Sequence, residues 1–134
     1  LLIGAVSGQK TVGVRGLLTC GGKPMPGANV SIGVERNWPN LSPIFDSVRS
    51  DGRGYFELRG VSRGIRRLKP MVKITHSCNF AGNLTNSVDC ERSVTYRVPA
   101  EYIAKNTTKI QNWYQLDTPN MAIVQLNEMG RCSS

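Results

Sequence analysis

The sequence predicts an all-β fold, a sandwich or open barrel of two packed sheets with seven or eight strands, and three observations lead there. Short β-rich runs separated by Gly, Pro, Asn and Asp recur along the whole chain. No 3.6-residue apolar period lasts long enough to build a core helix. The 134 residues suffice for one domain that closes its own core.

Leu1 to Ser7 is apolar and ends in Ala5-Val6-Ser7, the small-x-small pattern that a signal peptidase accepts. Residues 1–7 are therefore read as the remnant of a secretory signal peptide and residues 8–134 as the sandwich domain. The other reading, a first buried strand over Leu1 to Val6, stays open because short apolar runs are ambiguous. Thr11 to Thr19 reads as the first strand of the domain, ended by Gly21-Gly22-Lys23-Pro24. Asn29 to Glu35 puts Val30, Ile32 and Val34 on one face, as a half-buried strand does. Ile44 to Arg49 follows, and Ser50-Asp-Gly-Arg-Gly54 is a tight turn that should join it to Tyr55–Leu58 as a hairpin. Pro70 to His76 points Val72, Ile74 and His76 inward and Lys73 and Thr75 outward. Glu91 to Val98 is a strand stopped by Pro99, after which Pro99 to Ala104 suits one helical turn. Lys109 to Leu116 and Met121 to Leu126, joined by Asp117-Thr-Pro-Asn120, are read as a closing hairpin.

Four cysteines, an even number behind a signal-like start, indicate two disulfides. Of the three possible connectivities, Cys78 with Cys90 closes the polar loop between them and leaves Cys20 with Cys132. A zinc site of four thiolates is disfavoured, because no C-x2-C pair exists and His76 is the single histidine. Sequons at Asn29, Asn40, Asn83 and Asn106 agree with an extracellular, glycosylated protein. Beyond the first residues no segment approaches the roughly 18 apolar residues of a membrane span.

The net charge is +8, the isoelectric point about 9.7 and the mean hydropathy −0.25, a balance that points to acidic partners. Nucleic acid is not expected, since no helical basic stripe or aromatic recognition pattern is present. The charge is local. Arg49 to Lys73 holds eight basic residues against Asp51 and Glu57, and so carries six of the eight net charges. Within it Arg63, Arg66, Arg67 and Lys69 share a loop around Gly60 and Gly64, where long cationic side chains can converge on a phosphate or carboxylate. The competing reading is a solvated loop whose charge serves solubility. Trp38 and Phe45, in the proline-rich segment 38–45, and Met121 and Ile123, in the apolar run 121–124, are the interface candidates. The competing reading for the first segment is that Ile44 and Phe45 begin a strand and Trp38 covers a sheet edge.

Catalysis is not expected. His76 is read as a hydrogen-bonded core residue, with no second base or orienting group to make a triad. Phosphate-loop and dinucleotide motifs are absent from the sequence. No cofactor is expected; Asp46, Asp51, Asp89 and Glu91 could chelate calcium, but they lack EF-hand spacing and read as turn and surface groups.

From about Val12 to Cys132 the chain resembles the nematode transthyretin-like family. Val14-Arg-Gly-Leu-Leu-Thr-Cys20 with Gly22-Lys23-Pro24 is similar to its first strand and turn. Asp51 to Gly60 resembles its D-x-x-G-x-F-x-L-x-G segment, and Lys69 to Cys78 its proline-initiated strand ending in H-x-C. Cys90, Arg92, Tyr96, Val98-Pro99 and Tyr102-Ile103 follow in the family's order. The resemblance implies a transthyretin-like (prealbumin-like) sandwich and a secreted, non-enzymatic binding role. Among the roles it implies is recognition of phosphatidylserine on apoptotic cells, bridged to a phagocyte receptor, with Arg63, Arg66, Arg67 and Lys69 on the phosphate and carboxylate and a cation at Asp51. The partners expected are an anionic phospholipid surface, a cell-surface receptor and a second copy as homodimer. A carrier of a small hydrophobic ligand and a matrix or glycan-binding protein are the alternatives. Two departures matter. Residues 36–46 are aromatic and proline-rich where relatives are often acidic, and the related hydroxyisourate hydrolases end in Tyr-Arg-Gly-Ser, whereas this chain ends in Gly130-Arg-Cys-Ser-Ser134 with one histidine. Hydrolase activity is not implied.

Overall fold

The structure, a computed structural model, describes residues 8–37, 40–64, 68–78, 90–116, 121 and 128–132. In chain order the strands are β1 (Gln9–Leu17), β2 (Thr19–Cys20), β3 (Lys23–Pro24), β4 (Asn29–Asn37), β5 (Asn40–Arg49), β6 (Tyr55–Arg63), β7 (Pro70–His76), β8 (Cys90–Arg97), β9 (Ala104–Lys105), β10 (Trp113–Leu116) and β11 (Glu128–Cys132). One sheet has the order β10-β1-β6 with β9 also on β1, the other the order β11-β8-β7-β4-β5, and β2 and β3 form a small hairpin. The two-sheet sandwich expected from the sequence is thus the fold. The hairpin turns on Gly21 and Gly22, both at positive φ (63° and 85°), where other residues are strained.

The core lies between the two large sheets. Val12 and Val14 of β1, Phe56 and Leu58 of β6 and Leu116 of β10 face Val30, Ile32, Val72, Ile74 and Val94. Each strand contributes alternate residues, so β6 reads buried at Phe56, Leu58, Gly60 and Ser62 and open at Glu57 and Arg59. On β1 the alternation breaks, because Thr11 and Gly13 of its outer face are covered as well. There Ile110 and Trp113 lie over Gly13, where a Cβ would stand only 2.6 Å from Ile110 Cδ1 and 2.7 Å from Trp113 Cε3.

β7 spans the residues expected, and its inward set of Val72, Ile74 and His76 is buried. The single helical turn after Pro99 is a 3-10 turn, Ala100–Tyr102. Three expectations are corrected. Residues 40–43 belong to a strand: β4 and β5 pair as far as Asn37 with Asn40, and residues 38–39 lie outside the described residues. Register shifts along this pair make room for Pro43, which lacks the N–H a regular ladder uses. The turn at residues 50–54 does not close a hairpin. β5 pairs with β4 and β6 with β1, so the turn carries the chain from one sheet to the other. The physical reason is that Phe56 and Leu58 bury their side chains by facing the β4 layer across the core rather than by lying beside it. Nor does β10 begin a closing hairpin: it runs parallel to β1, with Gly13 opposite Trp113, while β11 pairs antiparallel with β8. Residues 122–126 of that expected hairpin lie outside the described residues.

Asp46 joins the open edges of the two sheets. Its Oδ1 accepts the Ser47 N–H of β5 at 2.8 Å and its Oδ2 the Arg59 N–H of β6 at 3.1 Å. Two edge donors are thereby occupied that would otherwise invite a further strand.

The disulfide is also different from the expected pair. Cys20 bonds Cys78, with a Cα–Cα separation of 5.9 Å, replacing Cys78 with Cys90 and Cys20 with Cys132. The expectation rested on closing the loop after Cys78 and ignored that β1 and β7 deliver Cys20 and Cys78 to the same end of the sandwich. Cys90 and Cys132 stand opposite one another as backbone partners of β8 and β11. In an antiparallel ladder such partners have Cα atoms about 4.5–5.5 Å apart, within disulfide reach. Non-reducing peptide mapping should recover Cys20 with Cys78 and Cys90 with Cys132. Replacing Cys20 and Cys78 by serine should lower stability by about 4 kcal/mol in denaturant titrations, from freeing a loop of 58-residue separation.

Candidate anion-binding site

One end of the sandwich brings together five of the chain's 17 basic residues. β1 begins there at Gln9, β6 ends there at Arg63, and their register places these two residues opposite each other. Only six residues separate Arg63 from Pro70, the first residue of β7, so the second sheet has the same end there, with Val34 beside Pro70 and Met71 beside Arg97. Lys105 of β9 stands opposite Lys10 of β1. Lys10, Arg63, Lys69, Arg97 and Lys105 therefore share this end; Lys10 is half-buried and the other four are exposed. Glu101, on the 3-10 turn between Arg97 and Lys105, is an exposed acid of the same end.

Local structure fixes several of these side chains. Gln9 is buried, and with its carboxamide oxygen turned toward the guanidinium it accepts from Arg63 Nε and Nη2, both at 2.8 Å. Lys69 stands between the buried Leu68 and Pro70, which hold the entry to β7. Asn106, at φ 58°, donates its N–H to Gln9 O at 2.7 Å and accepts the Gly8 N–H on Oδ1 at 3.0 Å, clamping β9 to β1. Arg66 and Arg67 lie outside the described residues.

Asp51, expected beside these cations, is at the opposite end. β6 runs nine residues from Tyr55 to Arg63, which at about 3.3 Å per residue puts the two roughly 26 Å apart. Asp51 organises the crossover turn instead. Its Oδ1 accepts the N–H groups of Tyr55 and Arg53, both at 2.9 Å, and these bonds, Tyr55 first, hold its carboxyl below the ordinary carboxylate range.

The interface candidates do not form an exposed surface where they are described. Met121 is 1% exposed in the core, and its N–H donates to Thr19 O. Phe45 is partly buried against the core, in agreement with the reading that it belongs to a strand. Trp38 and Ile123 lie outside the described residues. Of the sequons, Asn29 and Asn106 are exposed; Asn40 opens β5, with its side chain outside the description, and Asn83 is outside altogether.

His76 is buried, and its Nδ1 accepts the Cys78 N–H at 3.1 Å. Opposite it on β8 is Arg92, 1% exposed, whose Nη1 donates to Cys78 O. Sequence reasoning did not single out Arg92 as a buried charge. Its place among the inward residues Val94 and Tyr96 was the available signal. Lys10, Arg97 and Lys105 were missed for another reason: they meet only when separate strands end together. A groove of about 400 Å3 opens at the disulfide end, walled by Arg49, Asn29, Thr75, His76 and Glu91. Among the described residues no group of three His, Cys, Asp or Glu could hold a metal ion. No helix is long and apolar enough to cross a membrane, among those same residues.

Comparison with known proteins places this geometry in a family. Residues 15–99 match the family model described as TTR-52: Transthyretin-like family. Transthyretin-like protein 5 of Caenorhabditis elegans is 28% identical over 117 residues, 87% of this chain and 80% of the relative. Transthyretin-like protein 33 of the same organism is 25% identical over 123 residues, 92% and 82% of the two chains.

The Asp51 turn has a pH signature. Because the folded carboxyl titrates below its unfolded value, its contribution is present above the unfolded value and is lost as pH falls through the folded one. Asp51→Ala should lower Tm at neutral pH, and the gap from the parent should narrow in acid. A gap independent of pH would contradict the role.

Proposed function

Because the chain belongs to the transthyretin-like family, matched over residues 15–99, we propose that it is a secreted, non-enzymatic binding protein whose cationic end recognises an anionic phospholipid surface. Phosphatidylserine on apoptotic cells is the surface proposed, with a phagocyte receptor bridged from another face. The supporting observation is the convergence of Lys10, Arg63, Lys69, Arg97 and Lys105, from five parts of the chain, on one end of the sandwich. Arg66 and Arg67, in the same connection as Lys69, add to that charge by sequence.

Each basic residue held near an anionic membrane contributes about 1 kcal/mol, so the group amounts to weak but useful attachment, and a homodimer would multiply it. Asp51 is remote, so the headgroup contact proposed needs no cation there. The face proposed for the receptor is the outer side of the β10-β1-β6 sheet. There Leu17 is 43% exposed and Arg15 lies 5.2 Å over the Trp113 ring, an aromatic and arginine pairing common in recognition surfaces. A small hydrophobic cargo is less well supported, because the groove at the disulfide end is edged by Arg49 and Glu91.

Co-sedimentation with vesicles tests the proposal. The chain should bind phosphatidylserine vesicles better than phosphatidylglycerol vesicles, and neutral phosphatidylcholine hardly at all. Arg63→Glu with Lys69→Glu should weaken binding roughly thirtyfold or more, from at least about 2 kcal/mol of lost attraction, with the circular dichroism unchanged. Undiminished binding by the double variant would refute the assignment of the cationic end. Equal binding to both acidic lipids would reduce the patch to general electrostatics.

A further inference from the structure

The sequon Asn106-Thr107-Thr108 stands among the cations of the charged end. Asn106 directly follows Lys105, and both are exposed. Its N–H bonds Gln9 O, and the Gln9 side chain accepts from the Arg63 guanidinium. Lys109, exposed too, comes just after the sequon and donates its N–H to Thr107 Oγ1 at 3.0 Å. The Asn106 side chain is oriented for modification. A backbone N–H can be met only by an acceptor, so Oδ1 faces Gly8 and Nδ2 lies on the other branch of the amide. A sugar joined to Nδ2 leaves Oδ1 its lone pairs, and the bond from Gly8 therefore survives the modification. The backbone of the sequon is held independently of the asparagine side chain: Thr107 O accepts from Thr11 Oγ1 and Thr108 O from Arg59 Nη2. Asn29, also an exposed sequon residue, lines the groove at the opposite, disulfide end.

We propose that Asn106 carries an N-linked glycan and that this glycan controls the contact of the cationic end with an anionic phospholipid surface. The inference rests on the secreted, membrane-binding reading above. In the transfer, Asn106 Nδ2 attacks the anomeric carbon of an oligosaccharide carried on a polyprenyl diphosphate. The new C–N bond replaces the sugar–phosphate bond, Nδ2 gives up one proton, and the polyprenyl diphosphate departs. The Thr108 hydroxyl completes the acceptor sequence. Attraction between basic residues and anionic headgroups fades over a Debye length, about 8 Å at physiological ionic strength. A bulky glycan rooted between Lys105 and Lys109 holds the headgroups beyond that range. The unmodified chain attaches and the modified chain is kept off, so occupancy of one asparagine sets how much of the secreted protein binds.

The test uses the full chain secreted from a eukaryotic host, glycopeptide mapping by mass, and co-sedimentation with mixed phosphatidylserine and phosphatidylcholine vesicles. Thr108→Ala removes the acceptor hydroxyl and leaves the Asn106 hydrogen bonds in place, whereas Thr108→Ser keeps the acceptor. The wild type and Thr108→Ser should carry a glycan on Asn106, and Thr108→Ala should not. Pelleted wild-type protein should be depleted about tenfold in the Asn106 glycopeptide relative to the supernatant, because the modified chain has lost most of its electrostatic attraction. Thr108→Ala should pellet more fully than the wild type, with an unchanged Tm, and Asn29→Gln should pellet as the wild type does. An unmodified Asn106 in the secreted wild type overturns the site. Equal distribution of the glycopeptide between pellet and supernatant overturns its control of binding. A Thr108→Ala chain that also stays in solution sinks the cationic-end reading and the control that rests on it, while the mass map decides the glycan separately.

Discussion

Trp113 and Ile110 lie so close over Gly13 that no side chain fits beneath them, and the arrangement of the four-stranded sheet depends on that contact. It seats β10 parallel to β1 with Trp113 opposite Gly13, which in turn sends Tyr114 and Leu116 inward to the core. β1 is thereby covered on both faces through its middle, and its register with β6 and β9 follows for its whole length. From that register come both the core layer of Val12 and Val14 and, at the start of the strand, the positions of Gln9 and Lys10 beside Arg63 and Lys105. A displacement of one residue would turn Lys10 outward and Val12 into water.

The two ends of the sandwich are chemically distinct because the connections at each end differ. At one end the Cys20–Cys78 disulfide, the Asp51 turn and the Gly21-Gly22 hairpin bind the sheets together with local hydrogen bonds and a covalent link. At the other end strands finish in basic residues. Buried polar groups mark the boundary of each: Arg92 and His76 near the disulfide, Gln9 and Ser62 near the cations.

Much of this was legible in the sequence. The alternation in Asn29 to Glu35 and Pro70 to His76 identified their buried faces, since a strand half in water writes its pattern at period two. The ordered motifs from Val14 to Ile103 carried the family. Pairing partners were not legible, because a tight turn such as Ser50 to Gly54 has the same composition whether it joins neighbours or crosses between sheets. The disulfide failed for a related reason: the spacing of Cys78 and Cys90 in sequence says nothing of the end to which β1 carries Cys20. The Arg63 and Lys69 part of the site was visible as a local excess of charge. Lys10, Arg97 and Lys105 were not, being single cations in separate strands until the register brings them to one end.

The account stands on which end of the molecule meets the anionic surface. Vesicles of phosphatidylserine carrying spin-labelled headgroups would report it directly, through paramagnetic broadening of assigned amide signals. The account predicts broadening at Lys10, Arg63, Lys69 and Lys105, with Cys20, Asp51 and Cys78 left sharp. Broadening centred on the disulfide end, or spread evenly over both ends, would contradict it.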